Sequence, residues 1–147
     1  MIALDPDTGS ERWRFDPKNE TPPYSLLGNC RGVTHYELED VAEGEQCKER
    51  IYTATTDARL IAVDKDTGLP CDDFGNDGQI SLLAGMGEVK PYYYFVTSPA
   101  TVASGVLVVG GWVMDNQEVE EPSGVVRAYD PKTGKLAWAW DLSLIHI

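Results

Sequence analysis

A glycine-bounded stretch in the first third of the chain gathers side chains that can bind an anionic or planar ligand. Residues 27–36 read LGNCRGVTHY and contain a cation at Arg31, an imidazole at His35 and a phenol at Tyr36. The planar guanidinium of an arginine pairs with a carboxylate through two parallel hydrogen bonds. A single loop histidine can perform acid–base chemistry near neutral pH, but most such histidines are only solvated. The stretch is therefore a candidate binding loop whose pattern alone assigns no catalytic group.

A second segment, residues 94–116, joins an apolar strand to groups that can bind a metal ion. It contains Thr97 within Thr-Ser-Pro, a Gly-Gly-Trp sequence at 110–112, and the pair Asp115 and Asn116. A carboxylate oxygen and an amide oxygen are hard ligands of the kind that Ca²⁺ and Mg²⁺ prefer. Asp-Asn is also an ordinary turn sequence, so the pair by itself leaves both interpretations open. No Ser/His/Asp arrangement, phosphate-binding loop or paired carboxylates stand out in the rest of the sequence.

A motif repeated three times indicates the elements that position these segments. Residues 3–16, 62–75 and 128–141 share Ala-x-Asp-x-x-Thr-Gly, and the first and third continue to Trp-x-(Phe/Trp)-Asp. In such a motif a strand of β-branched and aromatic residues leads to an Asp that can bond turn amides and a Gly that can adopt positive φ. Each copy therefore predicts a β-hairpin, with Trp13 and Trp138 packed between neighbouring sheets. The central copy lacks this Trp, so we expect its packing to differ.

The spacing of the repeats predicts an all-β fold. Self-similarity at periods of roughly 40–60 residues is typical of propellers and other repeat arrays. We expect a β-propeller of four-stranded blades, with about three blades in residues 1–141. Propellers close with about 4–8 blades, so the chain is expected to be a fragment of a larger propeller. The last residues, 142–147, are expected to be a non-native tail.

The acidic composition restricts the partners of the chain. It has 12 Lys and Arg against 24 Asp and Glu, which gives a net charge of −12. This charge disfavours nucleic acid and anionic membrane surfaces as partners. No apolar run is long enough to span a bilayer.

The three cysteines fit no zinc-binding spacing. Cys30 and Cys47 flank the same acidic segment, so spacing alone leaves a disulfide between them and two free thiols equally open. If that disulfide forms, Cys71 is unpaired and is expected to be a small buried residue.

Several short motifs occur in an order that is specific for one known family, although each motif alone is not. They are CRGVT at 30–34, TDARLIA at 56–62, GMG at 85–87, TSP at 97–99, DN at 115–116 and EPSGVVRA at 121–128. Across residues 1–141 the chain resembles the bacterial membrane-bound quinoprotein glucose dehydrogenases, which use pyrroloquinoline quinone (PQQ).

The resemblance implies an eight-bladed propeller on the periplasmic side of the bacterial inner membrane, anchored through an N-terminal region outside this sequence. It implies a dehydrogenase that oxidises an aldose such as D-glucose to its lactone and passes the electrons through PQQ to ubiquinone. Sister enzymes act on quinate, shikimate or other polyols, and the loops do not decide between these small-molecule substrates. A non-catalytic propeller scaffold would keep the repeats but would not need the additional motifs.

The resemblance also implies roles for residues of the two segments. Thr97 matches a threonine that contacts PQQ, and Arg31 lies in the loop near the carboxylates of the cofactor. In the family this loop often carries a histidine at the place of Tyr36, so either His35 or Tyr36 is expected to supply its contact.

The resemblance implies that this chain contains ligands of the metal ion but not the catalytic base. Asp115 and Asn116 match the family's ligand pair for Ca²⁺ or Mg²⁺. The catalytic base of the family lies in a later blade, so we assign no catalytic residue here and expect the fragment alone to be inactive.

Overall fold

The computed structural model describes residues 1–19, 31–114 and 121–141, and every regular element within these ranges is a β-strand. The strands are β1 (Ile2–Leu4), β2 (Glu11–Arg14), β3 (Thr34–Glu37), β4 (Glu49–Ala54), β5 (Arg59–Asp64), β6 (Gln79–Ser81), β7 (Tyr94–Phe95), β8 (Thr101–Ala103), β9 (Val106–Gly110), β10 (Trp112–Val113), β11 (Val126–Tyr129) and β12 (Leu136–Trp140). The described ranges contain no helix of the length and hydropathy needed to cross a bilayer. The all-β class predicted from the sequence is confirmed.

The strands form two four-stranded sheets and two smaller pairs. We name the sheet β3-β4-β5-β6 the first blade, the sheet β8-β9-β11-β12 the second blade, and the β1–β2 pair the leading hairpin. β7 precedes β8 in the chain and β10 follows β9, and the two strands form a short antiparallel ribbon. The expected four-stranded blade is therefore confirmed, and the described residues hold two complete blades and one hairpin of a third.

The repeated motif forms the same turn at all three places. Oδ1 of Asp64 accepts hydrogen bonds from the amide and the hydroxyl of Thr67, each at 2.8 Å, and Gly68 has a φ of 71°. Asp5 and Asp130 bond the threonines of their own turns in the same way. Burial raises the pKa of the Asp64 and Asp130 carboxyls, but the hydrogen bonds they accept outweigh it, so both pKa values lie below the usual range.

The leading hairpin joins the first blade through an indole that covers a turn glycine. A Cβ on Gly68 would lie 2.5 Å from the ring of Trp13, so only glycine fits beneath that ring. Nε1 of Trp13 donates to the carbonyl of Lys65 at 2.8 Å. The predicted packing of Trp13 between sheets is confirmed. Trp138 differs, because it is 43% exposed and no following blade covers it in the described residues.

The first blade joins the second through a buried core that replaces the missing Trp of the central repeat. Ile80 and Phe74 fill the space over Gly134, the equivalent turn glycine. The hydroxyl of Tyr52 donates to the carbonyl of Pro131, and its ring meets Phe74 edge-on at 5.5 Å. The core residues from the two blades include Tyr52, Ala54, Leu60, Ala62, Phe74, Leu107, Val109 and Tyr129.

A buried arginine also ties the two blades together. Arg50 on β4 is 1% exposed and donates to the carbonyl of Cys47 at 2.8 Å and to the carbonyl of Lys132 at 2.9 Å. Its remaining nitrogen binds the carboxylate of Asp73, with a closest distance of 2.6 Å. The guanidinium therefore connects β4, the segment after β5 and the turn of the second blade.

The β-hairpin predicted for every copy of the motif is wrong for the central repeat, although its packing differs as its missing Trp predicted. Val63 pairs with Pro70 in a single bridge, and the strand that returns along β5 is the more distant β6. Pro70 has no amide hydrogen, so it cannot continue the ladder.

The disulfide predicted as one alternative from the cysteine spacing is wrong. Cys47 pairs with Cys71, with a Cα–Cα distance of 5.7 Å, so Cys71 is not unpaired, although it is buried as expected. The connection before β4 folds over the turn after β5, because the amide of Cys47 donates to Oδ2 of Asp64 at 2.7 Å. That contact brings Cys47 to Cys71. Cys30 lies outside the described residues.

Candidate functional site

The two blades meet along their first strands, β3 and β8, which contact each other. The hydroxyl of Thr34 on β3 donates to the carbonyl of Ala100, one residue before β8. Blades of a propeller converge on a central channel, so we infer that β3 and β8 line it. The segments that enter these two strands lie at one end of that channel.

Two of the predicted site segments come together at this end. The amide of Arg31 donates to the carbonyl of Thr97 at 2.9 Å, although 66 residues separate them in the chain. A Cβ on Gly32 would lie 3.6 Å from the ring of Pro99, so the two segments pack side by side. Arg31 is exposed and Thr97 is partly buried. The backbones of a residue with a cationic side chain and a residue with a hydroxyl therefore meet at the entrances to neighbouring strands.

The β7–β10 ribbon adds an aromatic ring that packs on Phe95, two residues before Thr97 in the chain. The ring of Trp112 packs against Phe95 with a centroid distance of 5.0 Å, and 52% of Trp112 is exposed. The ring of Tyr94 fills the space that a side chain on Gly111 would occupy, which explains the glycine before Trp112. Burial raises the pKa of Tyr94, so this phenol stays neutral and serves as a packing group.

His35 lies apart from Arg31 and Thr97. It is on β3, where its Nε2 is 2.8 Å from Oε2 of Glu49, and Glu49 also pairs with Lys65 at 3.3 Å. Glu49 begins β4 and pairs with the last residue of β3, so the imidazole is directed away from the Arg31 end of that strand.

Tyr36 occupies the opposite face of the same strand. Adjacent residues in a strand point to opposite sides of the sheet, and Tyr36 packs against the core that the two blades share. Its hydroxyl lies 4.0 Å from the Cβ position of Gly105, in the turn that leaves β8. The structure therefore brings neither His35 nor Tyr36 to Arg31 and Thr97, and their contact with the cofactor stays a prediction.

The predicted metal ligands, Asp115 and Asn116, lie outside the described residues. The amide of Met114, which precedes them, donates to the carbonyl of Tyr93 at 3.0 Å. Within residues 1–19, 31–114 and 121–141, no three His, Cys, Asp or Glu side chains are grouped so that they could hold a metal ion. The metal-binding role of the pair stays a prediction.

Trp112 was not among the predicted site residues. The sequence feature that could have identified it is the Gly110-Gly111 pair between an apolar strand and Trp112. Glycine in or at the end of a strand often indicates that another group packs closely against the backbone there. The sequence does not show which ring approaches, because Tyr94 comes from a strand 17 residues away.

Comparison with known proteins agrees with this geometry. Residues 1–146 match the family "PQQ: Glucose/ethanol/alcohol dehydrogenase, beta-propeller domain". The chain is 45% identical over 145 residues to the glycerol dehydrogenase large subunit of Gluconobacter oxydans (strain 621H), covering 97% of this chain and 19% of the relative. It is 41% identical over 152 residues to quinoprotein glucose dehydrogenase A of Acinetobacter calcoaceticus, covering 96% of this chain and 19% of the relative.

A solved structure supports the fold independently. Quinohemoprotein alcohol dehydrogenase ADHIIG from Pseudomonas putida HK5 superposes with a TM-score of 0.64 at 25% identity, over 95% of this chain and 17% of that chain. The chain spans about a fifth of the length of the curated relatives it matches. The chain belongs to the PQQ-dependent quinoprotein dehydrogenase family and forms part of its β-propeller domain.

Proposed function

We propose that this chain forms part of the PQQ-binding wall of a quinone-linked dehydrogenase. The observation that carries the proposal is the hydrogen bond between Arg31 and Thr97. It joins the two loops for which the family resemblance implies contact with the cofactor, and these loops come from neighbouring blades. The catalytic base belongs to another part of the protein in this proposal, so the chain binds and orients rather than reacts.

The side chains at this end of the blades suit a planar cofactor that carries three carboxylates. The guanidinium of Arg31 can pair with a carboxylate, the hydroxyl of Thr97 can donate a hydrogen bond, and the exposed face of Trp112 can stack on a planar ring. PQQ held here would supply the two-electron acceptor for the oxidation of an alcohol substrate. Pro99 packs on Gly32 and so fixes the spacing between the two binding loops.

We include Asp115 and Asn116 in the proposal as ligands of Ca²⁺ or Mg²⁺. Their support is the oxygen chemistry of the pair and the match to the family's ligand positions. A divalent ion at this place would act as a Lewis acid toward the quinone carbonyl.

Binding of PQQ to a full-length protein that contains this chain tests the proposal. The quenching of tryptophan fluorescence by PQQ, in the presence of Ca²⁺ or Mg²⁺, should show saturable binding. Arg31→Ala should weaken this binding by about tenfold, the loss of one charge-assisted pair. Arg14→Ala removes another exposed guanidinium, one that pairs with Glu11 on the leading hairpin, and should leave the affinity unchanged. Equal affinities for the two variants would refute the role of Arg31, and the absence of binding would favour a non-catalytic propeller.

For the substrate we propose a small polyhydroxylated compound, with an aldose such as D-glucose oxidised to its lactone and ubiquinone as the acceptor. The relative named for glucose supports this choice, and the relative named for glycerol supports oxidation of a polyol equally well. Quinate or shikimate is the further alternative. Dye-linked oxidation of D-glucose, glycerol and quinate by a protein that contains this chain separates the three, since kcat/KM should be highest for the physiological substrate.

We propose the periplasmic side of the bacterial inner membrane as the location, with attachment through a region outside this sequence. The Cys47–Cys71 disulfide supports the compartment, because disulfides persist in the periplasm and are rare in the cytosol. Trapping of free thiols in intact cells, followed by mapping of the peptides, should find this pair oxidised. A reduced pair would contradict the proposed compartment.

A further inference from the structure

The two glycines before Trp112 differ in what surrounds them. A Cβ on Gly111 would overlap the ring of Tyr94, whereas a Cβ on Gly110 would meet only a methyl group of Val126, at 3.9 Å. Neither glycine has a positive φ, so the backbone at each position accepts an alanine. Packing therefore requires only the second glycine, and the group that requires it is the ring of Tyr94.

The ring of Tyr94 belongs to the core that the two blades share. It is 3% exposed and lies in one cluster with Leu107, Val109 and Tyr129 of the second blade. Burial and the phenol of Tyr129 raise the pKa of Tyr94, whereas the nearby charge of Arg127 lowers it. Because a close-packed core leaves a buried ring little room to move, whatever packs on Tyr94 takes its position from this ring.

Arg127 holds the start of the connection that contains Tyr94. It is 7% exposed on β11, and its Nη1 donates to the carbonyl of Leu82 at 2.7 Å. Leu82 follows β6 directly, and the connection from there to β8 contains β7 and Thr97. The second blade therefore fixes this connection twice, at Leu82 through the guanidinium and at Tyr94 through the core.

The β7–β10 ribbon relates the position of Tyr94 to that of Trp112. Tyr94 pairs with Val113, and Phe95 pairs with Trp112, so Gly111 is the diagonal neighbour of Tyr94 across the ribbon. Each strand has only two residues, and a two-stranded ribbon is marginally stable by itself. The contact of the Tyr94 ring with Gly111 therefore determines how β10 approaches β7, and with it where the half-exposed indole lies.

We propose that Tyr94 is a positioning residue of the cofactor site, acting through Gly111 on the orientation of Trp112. In the proposed function, on which this inference rests, the exposed face of Trp112 stacks on the planar cofactor. Tyr94 does not touch the cofactor; it sets the plane of the indole relative to Thr97, which follows Phe95 by two residues. Stacking depends on the offset and the angle between two planes, so a small displacement of β10 lowers the affinity for a planar ligand.

Two single-methyl substitutions test the proposal in a full-length protein that contains this chain. Gly111→Ala places a methyl group where the ring of Tyr94 lies, and Gly110→Ala adds the same group to the adjacent residue, where it has room. Titration of tryptophan fluorescence with PQQ, in the presence of Ca²⁺ or Mg²⁺, gives the Kd. Gly111→Ala should raise the Kd roughly fivefold or more, the scale of one aromatic contact, and Gly110→Ala should leave it unchanged.

A spectroscopic measurement separates orientation from loss of folded protein. Circular dichroism induced in the absorption bands of bound PQQ depends on how the cofactor sits against its neighbours. At saturating PQQ this signal should change in shape in Gly111→Ala and keep the parent's shape in Gly110→Ala. A variant that only folded less well would lose amplitude without a change in shape.

Substitutions of Tyr94 separate its ring from its hydroxyl. Tyr94→Phe keeps the ring over Gly111, so it should bind PQQ like the parent. Tyr94→Leu removes the ring and should weaken binding as Gly111→Ala does. In the Tyr94→Leu background, Gly111→Ala should cause little further loss, because both changes disturb one contact.

The outcomes distinguish this inference from the proposed function. A parent that binds PQQ, with the same Kd and the same dichroism in Gly110→Ala and Gly111→Ala, would overturn the role of Tyr94 and leave the proposed function intact. A parent that binds no PQQ would refute both. If Gly111→Ala does not fold, equal binding by Tyr94→Leu and Tyr94→Phe overturns the role of the ring, and weaker binding by Tyr94→Leu alone supports it.

Discussion

The indole of Trp13 lies directly over Gly68, at a distance that leaves no room for a Cβ, and donates to the backbone of the same turn. This relationship joins the leading hairpin to the first blade across 55 residues of sequence. It explains why the motif contains both a Gly and a Trp, because the Trp of the first repeat packs on the turn Gly of the second. The glycine supplies both the positive φ of its own turn and a flat surface for the preceding sheet.

The chain offers a matched pair of glycines that separates these two roles. Gly68 and Gly9 have the same φ of 71°, but only Gly68 lies under a ring. Substitution by Asn imposes the same backbone cost at both places. We expect Gly68→Asn to lower the free energy of unfolding by about 1–3 kcal/mol more than Gly9→Asn, the cost of overpacking. Denaturant unfolding of both variants and the parent measures the difference. Equal losses would show that the ring over Gly68 contributes nothing to stability.

A second prediction concerns the buried guanidinium of Arg50. Arg50→Ala leaves the carbonyls of Cys47 and Lys132 without their donor. A buried acceptor without a partner costs about 1–3 kcal/mol, so we expect the loss to be about 2 kcal/mol or more. Arg14→Ala breaks only an exposed pair with Glu11 and should leave the melting temperature unchanged. A melting temperature for Arg50→Ala equal to that of the parent would contradict the bridging role between the blades.

Much of this fold could be predicted from the sequence, because the repeated turn is a local structure. Asp64 and Thr67 bond within one turn, so their spacing alone determines the geometry. The partners that meet across the fold could not be predicted in the same way. The pairing of Cys47 with Cys71 depends on a connection that folds over a turn, and cysteine spacing does not contain this information.

In the candidate site, too, local motifs could be predicted from the sequence, whereas the positions of side chains in the fold could not. Motifs identified Arg31 and Thr97, and the structure places their backbones in contact. The neighbouring residues His35 and Tyr36 looked interchangeable while they were treated as loop residues. Once they lie on β3, alternation directs them to opposite faces, and strand boundaries are the part of a sequence prediction that is least certain.

The disulfide provides a third prediction. Reduction of Cys47–Cys71 opens a loop with a sequence separation of 24 residues. The chain-entropy relation gives about 3 kcal/mol for such a loop, so dithiothreitol should lower the denaturation midpoint of the oxidised chain by a corresponding amount. Cys30→Ser should respond to the reductant like the parent, whereas Cys71→Ser should not respond. Peptide mapping that recovers Cys30 linked to Cys47 would refute the pairing.

The last prediction follows from the lowered pKa of Asp64. Burial raises the pKa of this carboxyl, but hydrogen bonds from the amide of Cys47 and from Thr67 outweigh that effect. A carboxyl whose pKa is lower in the folded chain stabilises the fold fully above its unfolded pKa of about 3.9, and the stabilisation is lost as the pH falls through the folded pKa.

Asp64→Asn should therefore be less stable than the parent near pH 7, and should lose less stability than the parent below about pH 4. Asp77→Asn removes the same charge at an exposed residue whose φ of 51° suits asparagine, and it serves as the matched control for the loss of one carboxylate. Unfolding by urea at a series of pH values measures all three chains, and parallel curves for Asp64→Asn and the parent would show that this turn does not contribute to the acid sensitivity of the blade.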